Sequence, residues 1–353
     1  MKAFHYLESK RIEKQFSGAT AVITQKGRNL ATFYTGYIKD PDAMTSVEKE
    51  SLKVDMKTMF DAASLTKVCV TLPLTLKLIE QGELHLGDRV ATFIPQFDTD
   101  EKNQITIEHL LTHTSGMKTH IKKSVHGWKK EDIFQYIYES AMENPVGETV
   151  LYSDFGFILL SKIIETVTGK SFQQLASDEI FQPLDMTESC FCPSEKQKHR
   201  IAMTEYDKEQ SKWVWGQVHD ETARVLNGVS GHAGLFTTAT DLSRYLIMIT
   251  NDDAYKGREI LSEATINLAT KNYTKTQNGN RGLGWVLKND SFDASGIHFS
   301  DESYGHTGFT GTSMWFDPAD EIGVILLTNR VHYGRDIDMK TIREQFHNLV
   351  KAA

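Results

Sequence analysis

The chain has 353 residues and a formal net charge of −8, from 39 Lys and Arg against 47 Asp and Glu. That length exceeds what a single hydrophobic core usually serves, so two subdomains are expected. No basic block marks a nucleic-acid surface, no apolar run is long enough to span a bilayer, and three cysteines cannot build a disulfide framework.

In chain order, the opening stretch "MKAFHYLESKRIEKQF" lacks the apolar core of a signal peptide, which points to a cytoplasmic location. Two alternating runs, "GATAVITQ" and "LATFYTGY", joined by "KGRN", predict a hairpin. A polar loop follows. From Ser64 to Gln81 the residues are apolar on nearly all sides, which predicts a central buried helix, bent at Pro73 and stopped by Gly82. The chain then reads mostly helical to about Lys198. "TIEHLLTHTSG" runs from an N-cap at Thr106 to a stop at Gly116, and "DFGFILLSKIIETVTG" ends at Gly169. "SFQQLASDEIFQPLDM" starts on Ser171 as N-cap. The lone Cys190-x-Cys192 reads as two small core-like thiols near a loop rather than zinc ligands.

Further on, "TATDLSRYLIMIT" and "LSEATINLAT" are helical, "GLGWVL" is a strand, and "TSMWFDPADEIGVILLTN" is two strands turning at Asp317 to Asp320. A terminal helix starts near Asp338. Strands at both ends with helices between them predict an α+β fold. An antiparallel sheet made from both termini (1–62 with 220–353) would flank a mostly helical subdomain (63–219), with the site between them.

Ser64 and Lys67, at i and i+3, share a helix face. A desolvated lysine loses its proton readily enough to activate a serine hydroxyl. The spacing alone is weak evidence: Ser46/Lys49 and Ser115/Lys118 repeat it, and an N-cap serine with a snorkelling lysine fits Ser64 equally well. Tyr152 and Asp154, in "GETVLYSDFGF", sit at a loop-to-helix junction, as a proton-shuttling phenol and a partner for the lysine. An ordinary aromatic beside a helix N-cap is the alternative. "YGHTGFTGTSMWF" brings glycines to a strand edge, where the Phe309 N–H, with that of Ser64, would form an oxyanion hole. His306 would add a donor or a partial positive charge near pH 7. A surface histidine at a strand bulge is the alternative there.

Together and in order, "SLTK", "YSD" and "HTG" resemble the three motifs of the serine β-lactamase and penicillin-binding protein superfamily. The tyrosine form is similar to the class C β-lactamase and esterase branch, and "YSD" with "VHDETA" to the penicillin-binding protein 4B-like group. The resemblance implies a β-lactamase/transpeptidase-like fold and an acyl-enzyme on Ser64. Lys67 and Tyr152 would manage protons, and Asp154, His306, Thr307, Gly308 and Phe309 would bind substrate. It implies no metal and no cofactor. The implied substrates are small esters, amides, D-alanyl peptides or peptidoglycan fragments, with β-lactams as a further class. The family's usual Asn and Lys stand here as Asp154 and His306, which argues against an efficient β-lactamase. A D,D-carboxypeptidase or carboxylesterase is favoured, ahead of a β-lactamase proper or a non-catalytic relative.

Overall fold

A computed structural model describes residues 1–250 and 254–353. Its organising element is a six-stranded antiparallel sheet of β1 (Gly18–Gln25), β2 (Arg28–Gly36), β3 (Val286–Leu287), β4 (Tyr304–Thr307), β5 (Ser313–Asp317) and β6 (Ile322–Thr328), in the order β3-β4-β5-β6-β1-β2. β1 pairs locally with β2 through a two-residue turn and distantly with β6, where Val22 faces Ile325. Lys26 and Gly27 in that turn both have positive φ, the geometry a tight hairpin needs.

Both faces of the sheet are covered, which is why "IGVILLT" reads as a continuous apolar run rather than an alternating one. Ile325 and Leu327 enter the main core, whereas Val324 and Leu326 enter a second core on the opposite face. That second core is closed by α1 (Lys2–Ile12) and α5 (Met339–Lys351). The main core holds α2 (Leu72–Glu80), α3 (Asp154–Thr168) and α4 (Ala239–Thr250). A small three-stranded sheet, ordered Phe60–Asp61, Leu235–Thr237, Cys190–Phe191, carries the chain into the segment of Ser64.

The α+β architecture matches the expectation, and five local features differ from it. The stretch expected as a polar loop holds a short helix, Ser46–Ser51, capped by Thr45. The N-terminal stretch is a helix, α1; only Ala3 and Leu7 of it are buried, so its apolar signal is thin. The helix expected from Ser64 begins instead with a π-turn over Lys67–Thr71, and α2 follows at Leu72. Pro73 has no N–H to give to the preceding turn, and the hydroxyl of buried Tyr245 donates to the Val68 carbonyl at 2.6 Å. The helix capped by Thr106 ends at Leu111, well before Gly116. Finally, "GLGWVL" yields only Val286–Leu287, because Gly284 turns the chain at φ +73.

Among the described residues, no helix is long and apolar enough to cross a membrane, and no cluster of three or more His, Cys, Asp or Glu could hold a metal ion.

Candidate active site

Ser64 lies where the Phe60–Asp61 strand turns into the central helix. The residue before it, Ala63, is held at φ +48, a costly conformation for a side chain with a Cβ. The buried Asp61 carboxylate accepts the Ala63 N–H at 2.8 Å and the His219 N–H at 2.7 Å, which fixes the turn. Ser64 is therefore presented on a strained, braced corner, and it remains partly exposed.

Lys67 is fully buried beneath it. Its Nζ donates to Ser64 Oγ at 3.0 Å, to Asp154 Oδ1 at 2.7 Å and to the His232 carbonyl at 3.2 Å. Three acceptors suit an ammonium with three protons. Burial pulls the lysine pKa down, but Asp154 and Tyr152 outweigh it, and the net direction is up. The expectation of a neutral lysine is thus corrected: Lys67 is a cation in the resting site.

Asp154 opens α3, with Ser153 as N-cap, so its charge also sits favourably at a helix N-terminus. Tyr152, two residues earlier, is half-buried among rings and cations. His113, Phe292 and His306 lie 4.5, 5.3 and 6.0 Å from it, centroid to centroid. Lys67 Nζ is 5.0 Å and Arg281 Cζ 5.8 Å from the same ring.

His306 on β4 is buried. Its Nδ1–H donates to the Thr307 carbonyl at 2.8 Å, and Nε2 has no partner among the described residues. Burial first, then Lys67 and Arg281, hold its pKa well below 6.5. The expected partial positive charge near pH 7 is therefore absent; His306 is neutral. Gly308 follows at a close approach: a Cβ there would come within 2.6 Å of the Ala62 carbonyl. Neither the Ser64 nor the Phe309 N–H has a backbone acceptor among the described residues.

Ser64, Tyr152, Asp154, His306, Thr307, Gly308 and Phe309 all line one open cleft of about 1250 Å³, with Lys67 under its floor. The two other Ser-x-x-Lys pairs lie outside it. Sequence reasoning missed Asp61, three residues ahead of Ser64, and His113, His232, Arg281 and Arg343, which approach from elsewhere in the chain with no motif spacing. His219, Asp220 and Glu221 also line the cleft, where Asp220 bonds His232 and His219 bonds Glu205.

The Beta-lactamase family model matches residues 4–347. The chain belongs to the Beta-lactamase family, and it is a serine hydrolase of that family. An N-acetylmuramyl-L-alanine amidase of Bacillus subtilis (strain 168) is 28% identical over 352 residues, which cover 90% of this chain and 78% of that protein. A protein of Escherichia coli (strain K12) named "Putative D-alanyl-D-alanine carboxypeptidase" is 30% identical over 326 residues, 84% and 74% of the two chains. The solved structure of EstCE1, a hydrolase with promiscuous acyltransferase activity, shares the fold with a TM-score of 0.75 at 21% identity, covering 98% of each chain.

Proposed function

We propose that this family member hydrolyses D-alanyl peptides of the peptidoglycan-fragment type through an acyl-enzyme on Ser64, in the cleft between a sheet subdomain (1–62, 220–353) and a helical one (63–219). The observation that carries the reading is the 3.0 Å contact of Ser64 Oγ with an ammonium that Asp154 and His232 hold in place. Because Lys67 is already protonated, it does not take the serine proton. Tyr152 does, as a relay: its hydroxyl accepts the serine proton while passing its own toward the leaving group.

Ser64 Oγ then bonds to the acyl carbon, and the carbonyl π pair moves onto oxygen, facing the N–H groups of Ser64 and Phe309. Collapse expels the leaving amine, which receives its proton from Tyr152. Water, giving its proton to Tyr152, attacks the ester and releases the acid, and Ser64 recovers its proton. Thr307 and Gly308 line the substrate's edge. A β-lactam finds a carboxylate at 154 and a neutral ring at 306, so it is a poor substrate. The carboxypeptidase name of the Escherichia coli relative and the amidase name of the Bacillus one support amide and peptide substrates.

Carboxylesterase activity is the second reading. Phe309 and Phe292, 46% and 47% exposed, offer apolar surface at the cleft, suited to ester groups. A cytoplasmic location belongs to the proposal, and cell fractionation tests it.

The deciding experiment follows D-alanine release from an N-acylated D-alanyl-D-alanine peptide beside hydrolysis of a small ester, with intact mass after a fluorophosphonate. Wild-type turnover and one adduct, both absent in Ser64→Ala, are expected. An adduct that persists in Ser64→Ala would remove the nucleophile assignment. Ester turnover without D-alanine release would favour the esterase reading.

A further inference from the structure

Arg343 belongs to α5, whose neighbours Ile342 and Phe346 pack into the second core. Yet Arg343 is only 7% exposed and lines the floor of the cleft. Among the described residues it has no carboxylate within ion-pair distance. One nitrogen, Nη2, donates to the carbonyls of Gly308 at 2.8 Å and Thr312 at 2.9 Å, and Nε has no partner among the described residues. A guanidinium buried on two neutral carbonyls is expensive. Burial, then Arg330, push its pKa down to about 9, which still leaves it charged at neutral pH.

The Gly308 carbonyl and the Phe309 N–H are two ends of one peptide group. A cation donating to that carbonyl polarises the amide and makes its N–H a stronger donor. The same turn is fixed elsewhere. Arg330 Nε donates to the Phe309 carbonyl at 2.7 Å. The hydroxyls of Thr310 and Thr312 donate to the Asp61 and Ala62 carbonyls at 2.8 and 3.0 Å, just ahead of Ser64. These bonds set the separation of the Ser64 and Phe309 N–H groups.

We infer that Arg343 is a positioning residue that acts through the Gly308–Phe309 peptide, supplying positive potential to the oxyanion formed when Ser64 attacks. The inference rests on the roles proposed for Ser64 and Phe309. A substrate carbonyl is neutral and gains little from Arg343, whereas the tetrahedral oxygen carries a full charge and gains more. The effect therefore falls on rate rather than on binding.

The test measures fluorophosphonate labelling of Ser64, split into maximal rate and half-saturating concentration, with kcat and KM for a neutral ester. Arg343→Gln should lower both maximal rates roughly 100-fold, as loss of an oxyanion donor does, with both concentration terms within about threefold. Arg343→Lys, which keeps the charge, should stay within about tenfold of wild type. A folded glutamine variant with wild-type maximal rates, or equal losses in the two variants, overturns the inference. If the glutamine variant does not fold, the lysine variant decides alone. Its maximal rate should fall with rising pH, relative to wild type, as the buried ammonium loses its proton, and a profile parallel to wild type overturns the inference. Labelling that persists in Ser64→Ala removes the proposed function itself, a separate outcome from Ser64-dependent labelling that is indifferent to residue 343.

Discussion

The ammonium of Lys67 lies 2.7 Å from the carboxylate of Asp154, with the lysine side chain fully buried and the carboxylate 22% exposed. Where the wider superfamily has an amide, this chain has a counter-charge. The pair holds a proton on Lys67, and for that reason the transfer of the Ser64 proton is assigned to Tyr152 in the proposed mechanism.

Asp154→Asn should therefore destabilise the fold by about 3 kcal/mol, because a buried ammonium loses its partner. With the carboxylate gone, only Tyr152 opposes burial, and the lysine pKa should drop. Wild-type Lys67 has a folded pKa above its unfolded one. Its stability contribution is present below about pH 10.4 and fades as pH rises through the higher folded value. Urea unfolding of both proteins from pH 7 to 11 checks this; an equally stable Asn variant would count against the pair.

Tyr152→Phe keeps the ring between His113 and Phe292 and removes only the hydroxyl. It should lower kcat by roughly 10²–10⁴, the usual worth of a general base, with little change in melting temperature. An active phenylalanine variant would return the proton transfer to Lys67.

His113, His306 and His347 are buried with depressed pKa values, His347 to about 4, through burial first in each case. Their unfolded forms bind protons below about pH 6.5 that the folded forms refuse. Stability from their neutral state is complete above that pH and is lost as pH falls. For His347 alone the loss by pH 4 is roughly 3 kcal/mol. His347→Phe should flatten the urea midpoint between pH 6.5 and 4 by about one proton's worth of slope.

Asp290 is 1% exposed at its side chain, pairs with Arg281 at 3.0 Å, and accepts the N–H groups of Asn280 and Phe292. Asp290→Ala should cost about 3–5 kcal/mol by stranding the guanidinium. It should also disturb Tyr152, since Phe292 stacks on that ring. A melting curve with a kcat measurement reads both effects; a neutral result would mean that Arg281 finds another acceptor.

The motif residues were legible because each sits at a local signal: a serine before an apolar helix, an aromatic at a helix start, glycines before a strand. The sheet was legible because β1 and β6 are too apolar to be anything but interior strands. What stayed hidden is long-range. Nothing in the order of residues brings Arg343 under Gly308, or the His232 carbonyl to Lys67. Asp154 was legible as a partner for Lys67, but the balance between burial and a carboxylate 87 positions away was not, and only the 2.7 Å contact decides the lysine's charge. α1 was missed because a helix that buries two small contacts leaves little pattern.

The placement of β1 has a consequence for synthesis. Its local partner β2 is made within seconds of it, but its other neighbour, β6, belongs to the last tenth of the chain. Until then one flank of β1 offers a row of unpaired amides and carbonyls between apolar side chains, the kind of edge that recruits other strands. β1 is thus exposed to aggregation until β6 emerges, and the closure that pairs the two is a slow, high-contact-order step.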